Sequence, residues 1–266
     1  MFKLNGKKVG VVGLSKRTGV STVKFLLKQG ASVVATDIKS REELSEEIKM
    51  LKKYELDYEL NGHGHKTLSC DLVVVSPGVP LDLPFFTRLS DKNIPVISEV
   101  ELAYQFTEAK IIAITGTNGK TTTTSLLGEI MNAFYGDRVV VAGNIGTPLI
   151  KVAPGLSENS WIIAEISSFQ LETTRFFKPD ISLFLNFTPD HLDRHKTVAN
   201  YLKAKKRIFR NQTKRDFALI NYDDADVVKA ARDFPVQKFY ISSREKMKNG
   251  AYIKDNKIYL VKEDKI

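Results

Sequence analysis

The sequence predicts an α/β protein in two domains, each carrying a mostly parallel sheet. Three observations predict it. Short apolar, β-branched runs alternate with helix-patterned stretches along the 266 residues, the signature of βαβ units. One such run ends in a glycine turn that spans Gly13 to Gly19, and another in a turn that spans Gly116 to Gly119. Each turn leads straight into a helical pattern, the place where open α/β sheets receive phosphate-bearing ligands.

Composition narrows the classes. A chain that is 42% hydrophobic and 27% charged is not disordered as a whole. The net charge of +9 comes mostly from lysines scattered along the chain. A solvated lysine-rich surface accounts for it best, anionic nucleotide substrates also fit, and no nucleic-acid partner is expected. The single Cys70 leaves no disulfide within the chain and suits a reducing compartment. It precedes an apolar strand and reads as a small buried residue rather than a reactive thiol. No apolar run reaches membrane-spanning or signal length, so a cytoplasmic protein without membrane attachment is expected.

The first domain is expected over residues 1–107. Lys7 to Gly13 reads as a strand, Val20 to Gln29 as a helix closed by Gly30, and Ser32 to Thr36 as a second strand. Asp37 stands at the end of that strand, where an acidic residue ordinarily binds a ribose hydroxyl. This is the opening of a Rossmann-like domain. Its fingerprint is broken, because the loop reads G-L-S-K-R-T-G, with Ser15 at the middle glycine and an extra residue before Gly19. A dinucleotide pyrophosphate packs poorly there, so a plain turn and a redox cofactor site stand as equal alternatives on the residues alone. A charged helix over Arg41 to Lys53 and a short strand over Asp57 to Leu60 follow. N-G-H-G-H at Asn61 to His65 reads as a loop rather than a metal site. Asp71 to Val75 is a strand that ends in the turn S-P-G-V-P, a ligand position in a parallel sheet. A strand over Pro95 to Ser98 and a helix over Glu99 to Phe106 close the domain.

The second domain, residues 108–266, opens on K-I-I-A-I-T-G-T-N-G-K-T. Ile111 to Ile114 is a strand, Gly116-Thr117-Asn118-Gly119 a turn, and Lys120 opens a helix. This is a P-loop arrangement: glycines let backbone N–H groups close round an anion, and the helix N-terminus adds donors and partial positive charge. Lys120 would reach the β/γ-phosphates and the Thr121 hydroxyl would meet Mg²⁺. The first glycine of the full pattern falls on Ile114, so only the shorter G-x-x-G-K-T is present; the strand before it and the helix after it supply the context. Further strands are expected at Arg138 to Ala142, Trp161 to Ala164, Ile181 to Phe187, Phe217 to Asn221 and Lys238 to Ile241, with helices at Val198 to Phe209 and Ala225 to Ala231. The chain closes in a hairpin turning at Asp255-Asn256. A metal needs hard oxygens at neighbouring strand ends, and Glu165 and His191 stand there. Lys205 shares a helical face with Tyr201, Ala204 and Ile208 and is expected to point inward.

These motifs resemble the Mur ligases of peptidoglycan synthesis, and among them the MurD type. The residues that carry the resemblance are G-T-N-G-K-T-T from Gly116, G-N-I-G from Gly143, E-I-S-S-F-Q-L-E from Glu165, N-F-T-P-D-H-L-D-R-H from Asn186 and Y-L-K-A-K from Tyr201, with S-P-G-V-P from Ser76 in the first domain. The resemblance implies that Gly116, Thr117, Asn118, Gly119, Lys120, Thr121 and Thr122 hold ATP, that Lys120, His191 and Lys205 are catalytic, and that Thr121, Glu165, His191 and a carbamylated Lys205 hold two Mg²⁺ ions. It places Leu14, Ser15, Thr18, Asp37, Ile38, Ser76, Pro77 and Gly78 at the uridine nucleotide, and Asn144 and Ser167 at the muramoyl group. Ser15 departs from the glycine usual in the family. The implied activity is ATP-dependent addition of D-glutamate to UDP-N-acetylmuramoyl-L-alanine by a cytoplasmic monomer, through an acyl phosphate. Another Mur-type amino acid ligase and a non-catalytic nucleotide-binding protein of the same fold are the alternatives. Family members carry a third domain with the adenine contacts and the D-glutamate site, so a fragment unable to ligate by itself is expected.

Overall fold

The computed structural model of the chain describes residues 3–262. They divide into two compact units. The first takes the chain to Thr107 together with Thr147–Gly155 and Glu172–Arg175; the second takes the remainder.

In the first unit, β1 (Lys8–Val12), β2 (Ser32–Thr36), β3 (Asp57–Glu59), β4 (Leu72–Val75) and β5 (Val96–Ser98) form one sheet in the order β3-β2-β1-β4-β5. Every pairing is parallel. The valine-rich β1 and β4 sit at the centre, where both faces are covered, and their valines are buried accordingly. Helices α1 (Thr18–Lys28), α2 (Ser45–Leu51), α3 (Pro84–Asp91) and α4 (Glu99–Tyr104) belong to this unit. Val12 stands level with Thr36 on one side and Val75 on the other, so the chain after each of these three residues leaves the sheet at one edge.

In the second unit, β6 (Lys110–Thr115) leads into α5 (Lys120–Tyr135), and β7 (Val139–Gly143) precedes α6 (Leu149–Val152), which packs in the first unit. β8 (Trp161–Glu165), α7 (Ser168–Leu171), β9 (Ile181–Phe184), α8 (Leu192–His195), α9 (Val198–Lys205), β10 (Phe217–Asn221), α10 (Ala225–Ala231), β11 (Gln237–Ser242), β12 (Gly250–Lys254) and β13 (Lys257–Val261) complete the order. The sheet runs β13-β12-β11-β10-β9-β6-β8-β7, parallel except for the terminal β12–β13 hairpin. Asp255 and Asn256 turn that hairpin, both at positive φ, as the two-residue turn requires. β6 lies between β8 and β9, with Ile114 opposite both Glu165 and Leu183.

Several boundaries differ from the sequence expectation. The charged helix contracts to Ser45–Leu51 behind a run of turns. Ile181 to Phe187 shortens to Ile181–Phe184, because Asn186 turns to the glycine loop. The helix expected over Val198 to Phe209 ends at Lys205 and tightens into a 3-10 turn at Lys206–Phe209. Helix α3 was not anticipated, although Pro84 at its first turn and buried Phe85, Phe86 and Leu89 are its natural signals.

Candidate functional site

The glycine loop emerges from the central strand β6, and the strand ends beside it supply its surroundings. Gly119 caps α5 at φ +78°, a conformation glycine adopts without the Cβ penalty, and so aims the helix N-terminus at the loop's mouth. Gly116 and Thr117 are buried, while Asn118, Gly119, Thr121 and Thr122 are exposed. The Lys120 ammonium folds back onto the loop, donating to the carbonyls of Gly116 at 2.9 Å and Thr117 at 2.7 Å.

Glu165, at the end of β8, is buried at 1% exposure. Thr121 Oγ1 donates to its Oε2 at 2.7 Å, and Asn144 Nδ2 donates to its Oε1 at 2.8 Å. Three strand exits therefore converge: the P-loop threonine, the strand-end glutamate and the asparagine of the G-N-I-G turn. The close fit explains Gly143, whose φ is +116° and where a Cβ would stand 2.2 Å from the Glu165 carbonyl oxygen. The buried Glu165 carboxylate, the exposed Thr121 hydroxyl and the half-buried Asn144 amide carry hard oxygens, and the carboxylate's two oxygens are met here by neutral groups, so the set fits a divalent cation such as Mg²⁺.

Lys205 points inward, as its helical face requires, and is 1% exposed. Its Nζ donates to Gly116 O at 2.7 Å and lies 4.7 Å from the centre of the Tyr201 ring. Burial, and then the nearby Lys120 ammonium, lower its pKa to about 7, against a smaller opposing pull from Asp190.

The remaining expected residues are less gathered. His191 is exposed at positive φ; its ring lies 5.0 Å from Phe169 and 5.9 Å from Tyr201, with Nε2 3.6 Å from Asp190. Among the described residues, no three His, Cys, Asp or Glu side chains form a metal-holding group. Ser167 is half-buried and its hydroxyl donates to Gln170 Oε1 at 3.1 Å.

Sequence reasoning missed two features of this edge. The Asn186 side chain bonds the glycine loop, accepting from Thr117 N and Asn118 N. A cleft of about 280 Å³ opens beside it, lined by Leu185, Asn221, Asp223, Ile241 and Ser243 among others. Asn221 ends β10, and Asp223 and Ser243 follow the ends of β10 and β11, a placement that could have singled them out.

In the first unit, the three chain exits bring Leu14, Asp37 and Ser76 to one sheet edge. Leu14 N donates to Asp37 Oδ2 at 2.8 Å, and Ser76 Oγ donates to the Gly13 carbonyl at 2.6 Å. Ser15 Oγ accepts from Gly19 N at 3.1 Å, doing with a side chain what the broken fingerprint does not do with glycine. Thr18 opens α1 and is buried, Ile38 is 69% exposed, Pro77 is half-buried and Gly78 is exposed. The N-G-H-G-H turn folds back on this edge: Gly62 N donates to the Asp37 carbonyl and His63 Nδ1 lies 2.8 Å from Thr36 Oγ1.

Two family models match the chain. The Mur ligase MurD-like N-terminal domain matches residues 7–98, and the Mur ligase middle domain matches residues 114–265. The chain belongs to the Mur ligase family. The UDP-N-acetylmuramoylalanine–D-glutamate ligase of Clostridioides difficile is 47% identical over 265 residues, covering 99% of this chain and 58% of that protein. The ligase of the same name from Koribacter versatilis is 46% identical over 257 residues, covering 96% of this chain and 56% of that protein. This Mur ligase chain thus spans little more than half the length of these relatives. Among solved structures, the UDP-N-acetylmuramate:L-alanyl-gamma-D-glutamyl-meso-diaminopimelate ligase of Neisseria meningitides shares the fold, with a TM-score of 0.60 and 15% identity over 98% of this chain and 85% of that one. No helix among the described residues is long and apolar enough to cross a membrane.

Proposed function

We propose that this chain carries the uridine-nucleotide and ATP sites of a ligase that adds D-glutamate to UDP-N-acetylmuramoyl-L-alanine. The observation that carries the reading is the pair of lysines at the glycine loop, one of them buried, beside the Thr121–Glu165–Asn144 cluster. The Lys120 ammonium beside the first N–H groups of α5 suits a polyphosphate, and the buried Lys205 stands ready as a metal ligand next to it. The loop and Lys120 would bind and orient the β- and γ-phosphates for attack by the substrate carboxylate. The acyl phosphate so formed would then be attacked by the amine of D-glutamate, releasing phosphate. Thr121 and Glu165 would hold Mg²⁺, and His191 with Lys205 a second ion. Bound there, the metal supplies positive charge where the phosphoryl oxygens become more negative.

Although the resemblance implies adenine contacts in a further domain, the cleft of Leu185, Asn221, Asp223 and Ser243 would take one side of the base of ATP, since Leu185 lines it and also lies beside the loop glycines. A Lys205 amine with a pKa near 7 is partly neutral at physiological pH and so open to CO₂, which would convert an unfavourable buried cation into an anionic ligand. The first-unit edge around Asp37, Leu14 and Ser76 would take the uridine nucleotide. Residues 1–107 and 108–266 are the corresponding functional domains, and a cytoplasmic monomer is the accompanying proposal, since both nucleotides are cytoplasmic metabolites.

Thermal-shift titration tests this. UDP-N-acetylmuramoyl-L-alanine and Mg·ATP should each raise the Tm, and NAD should not. Stabilisation by NAD alone would return the first unit to a redox role and sink the ligase reading.

A further inference from the structure

Asn186 has no part in the chemistry set out above, yet its side chain and carbonyl make four hydrogen bonds to the glycine loop. Its Oδ1 accepts from Asn118 N at 2.8 Å and from Thr117 N at 3.1 Å. Its Nδ2 donates to the Asn118 carbonyl at 3.0 Å, and its own carbonyl accepts a second bond from Thr117 N at 3.0 Å. One amide thus closes a ring with the backbone of Asn118 through both its donor and its acceptor. The next residues extend the attachment: Thr188 N and O both bond to Thr117 Oγ1 at 3.1 Å.

We propose that Asn186 is the positioning residue of the phosphate loop and fixes which of its N–H groups meet the anion. A glycine loop of this kind ordinarily offers its successive N–H groups to phosphate. Here those of Thr117 and Asn118 are committed to Asn186. The N–H groups that open α5, from Gly119 onward, have no helical acceptor by geometry and remain for the ligand. The loop is split into a half held by β9's exit and a half that binds. The same exit segment reaches the base cleft, because Asn221 Nδ2 donates to the Leu185 carbonyl at 2.7 Å and Phe187 N donates to Asp224 Oδ2 at 2.7 Å. Asn186 therefore sets the phosphate end relative to the base end of one nucleotide. This inference rests on the nucleotide reading of the loop.

Amide hydrogen exchange and calorimetry on the 266-residue chain test it. In the ligand-free parent, the Asn118 amide should exchange slowly and the Gly119 and Lys120 amides fast, and Mg·ADP should slow only the latter. Asn186→Ala should free the Asn118 amide but not the Thr117 amide, which keeps the backbone acceptor. It should weaken ADP by about tenfold, as the loss of charge-neighbouring hydrogen bonds implies, and leave AMP nearly unchanged, since AMP lacks the phosphate at the loop. Asn186→Asp, which keeps the acceptor, should keep the Asn118 amide slow. Fast exchange at Asn118 in the parent would overturn the proposal, and so would equal ADP affinity in parent and Asn186→Ala. A parent that fails to bind ADP removes the nucleotide reading instead, and the Asn118 exchange still decides the role of Asn186. Should Asn186→Ala not fold, the parent's exchange map decides alone.

Discussion

Lys205 and Lys120 share one acceptor, the carbonyl oxygen of Gly116, at 2.7 and 2.9 Å. Burial first, and then the neighbouring Lys120 ammonium, make the charged form of Lys205 costly there, and its pKa falls to about 7.

The first prediction follows from the sign of that shift. The folded value, about 7, lies below the ordinary 10.5, so between these values the unfolded chain binds the proton and the folded chain does not. Stability should therefore rise with pH across that window, by an amount on the order of 3 kcal/mol between pH 7 and 9.5. Urea unfolding at a series of pH values measures it. Lys205→Met should flatten the rise, and ¹³C-bicarbonate should give a carbamate resonance in the parent that the variant lacks.

Glu99 predicts the opposite slope at lower pH. It is 1% exposed, its Oε1 accepts from Ile150 N at 2.6 Å, its Oε2 has no hydrogen-bond partner, and burial raises its pKa to about 7. The folded chain then binds the proton more tightly than the unfolded chain, whose ordinary value is 4.5. Stability from this group is full below about 4.5 and is lost as pH rises through 7, a change on the order of 3 kcal/mol. Glu99→Gln keeps the acceptor for Ile150 and should lose that slope; a variant with the parent's pH dependence would place the titration elsewhere.

Glu165→Gln should separate metal from nucleotide. In the parent, Mg²⁺ should tighten ADP by about tenfold through the Thr121–Glu165 oxygens. Calorimetry with and without Mg²⁺ should find that gain absent from the variant and metal-free affinity preserved.

Gly143→Ala reaches the same cluster through the backbone. The added Cβ meets the Glu165 carbonyl in a conformation that alanine itself resists, at a cost on the order of 3 kcal/mol. A lower Tm together with lost Mg²⁺ dependence is expected. Gly146→Ala, at φ +57° but with nothing within 4 Å of its Cβ, should lose stability alone.

Asp37→Ala should weaken UDP, because its carboxylate holds Leu14 N and shapes the first-unit edge. Unchanged UDP affinity by calorimetry would move the uridine site away from that edge.

Much of this was legible in the residues. Ser32–Thr36, Phe217–Asn221 and Ala225–Ala231 were placed to the residue, because β-branched runs and the Asp224 cap mark their ends locally. The inward face of Lys205 followed from helical spacing. The four-residue helices α6, α7 and α8 were not legible, since one turn carries no periodicity. Nor was Asn186, whose partners lie 68 and 69 positions away, nor the cleft at Asn221 and Ser243, which only the β9–β10–β11 pairing assembles.

That separation bears on how the chain acquires its loop. Asn118 and Asn186 meet across 68 residues, and β6 gains neither sheet neighbour until β8 and β9 have been added. Closing so long a segment costs entropy that no contact made within Gly116–Lys120 repays. During synthesis, the glycine stretch should therefore leave the ribosome as bare, unformed chain and take its shape only when β9 docks and brings in the segment after it, which carries Asn186.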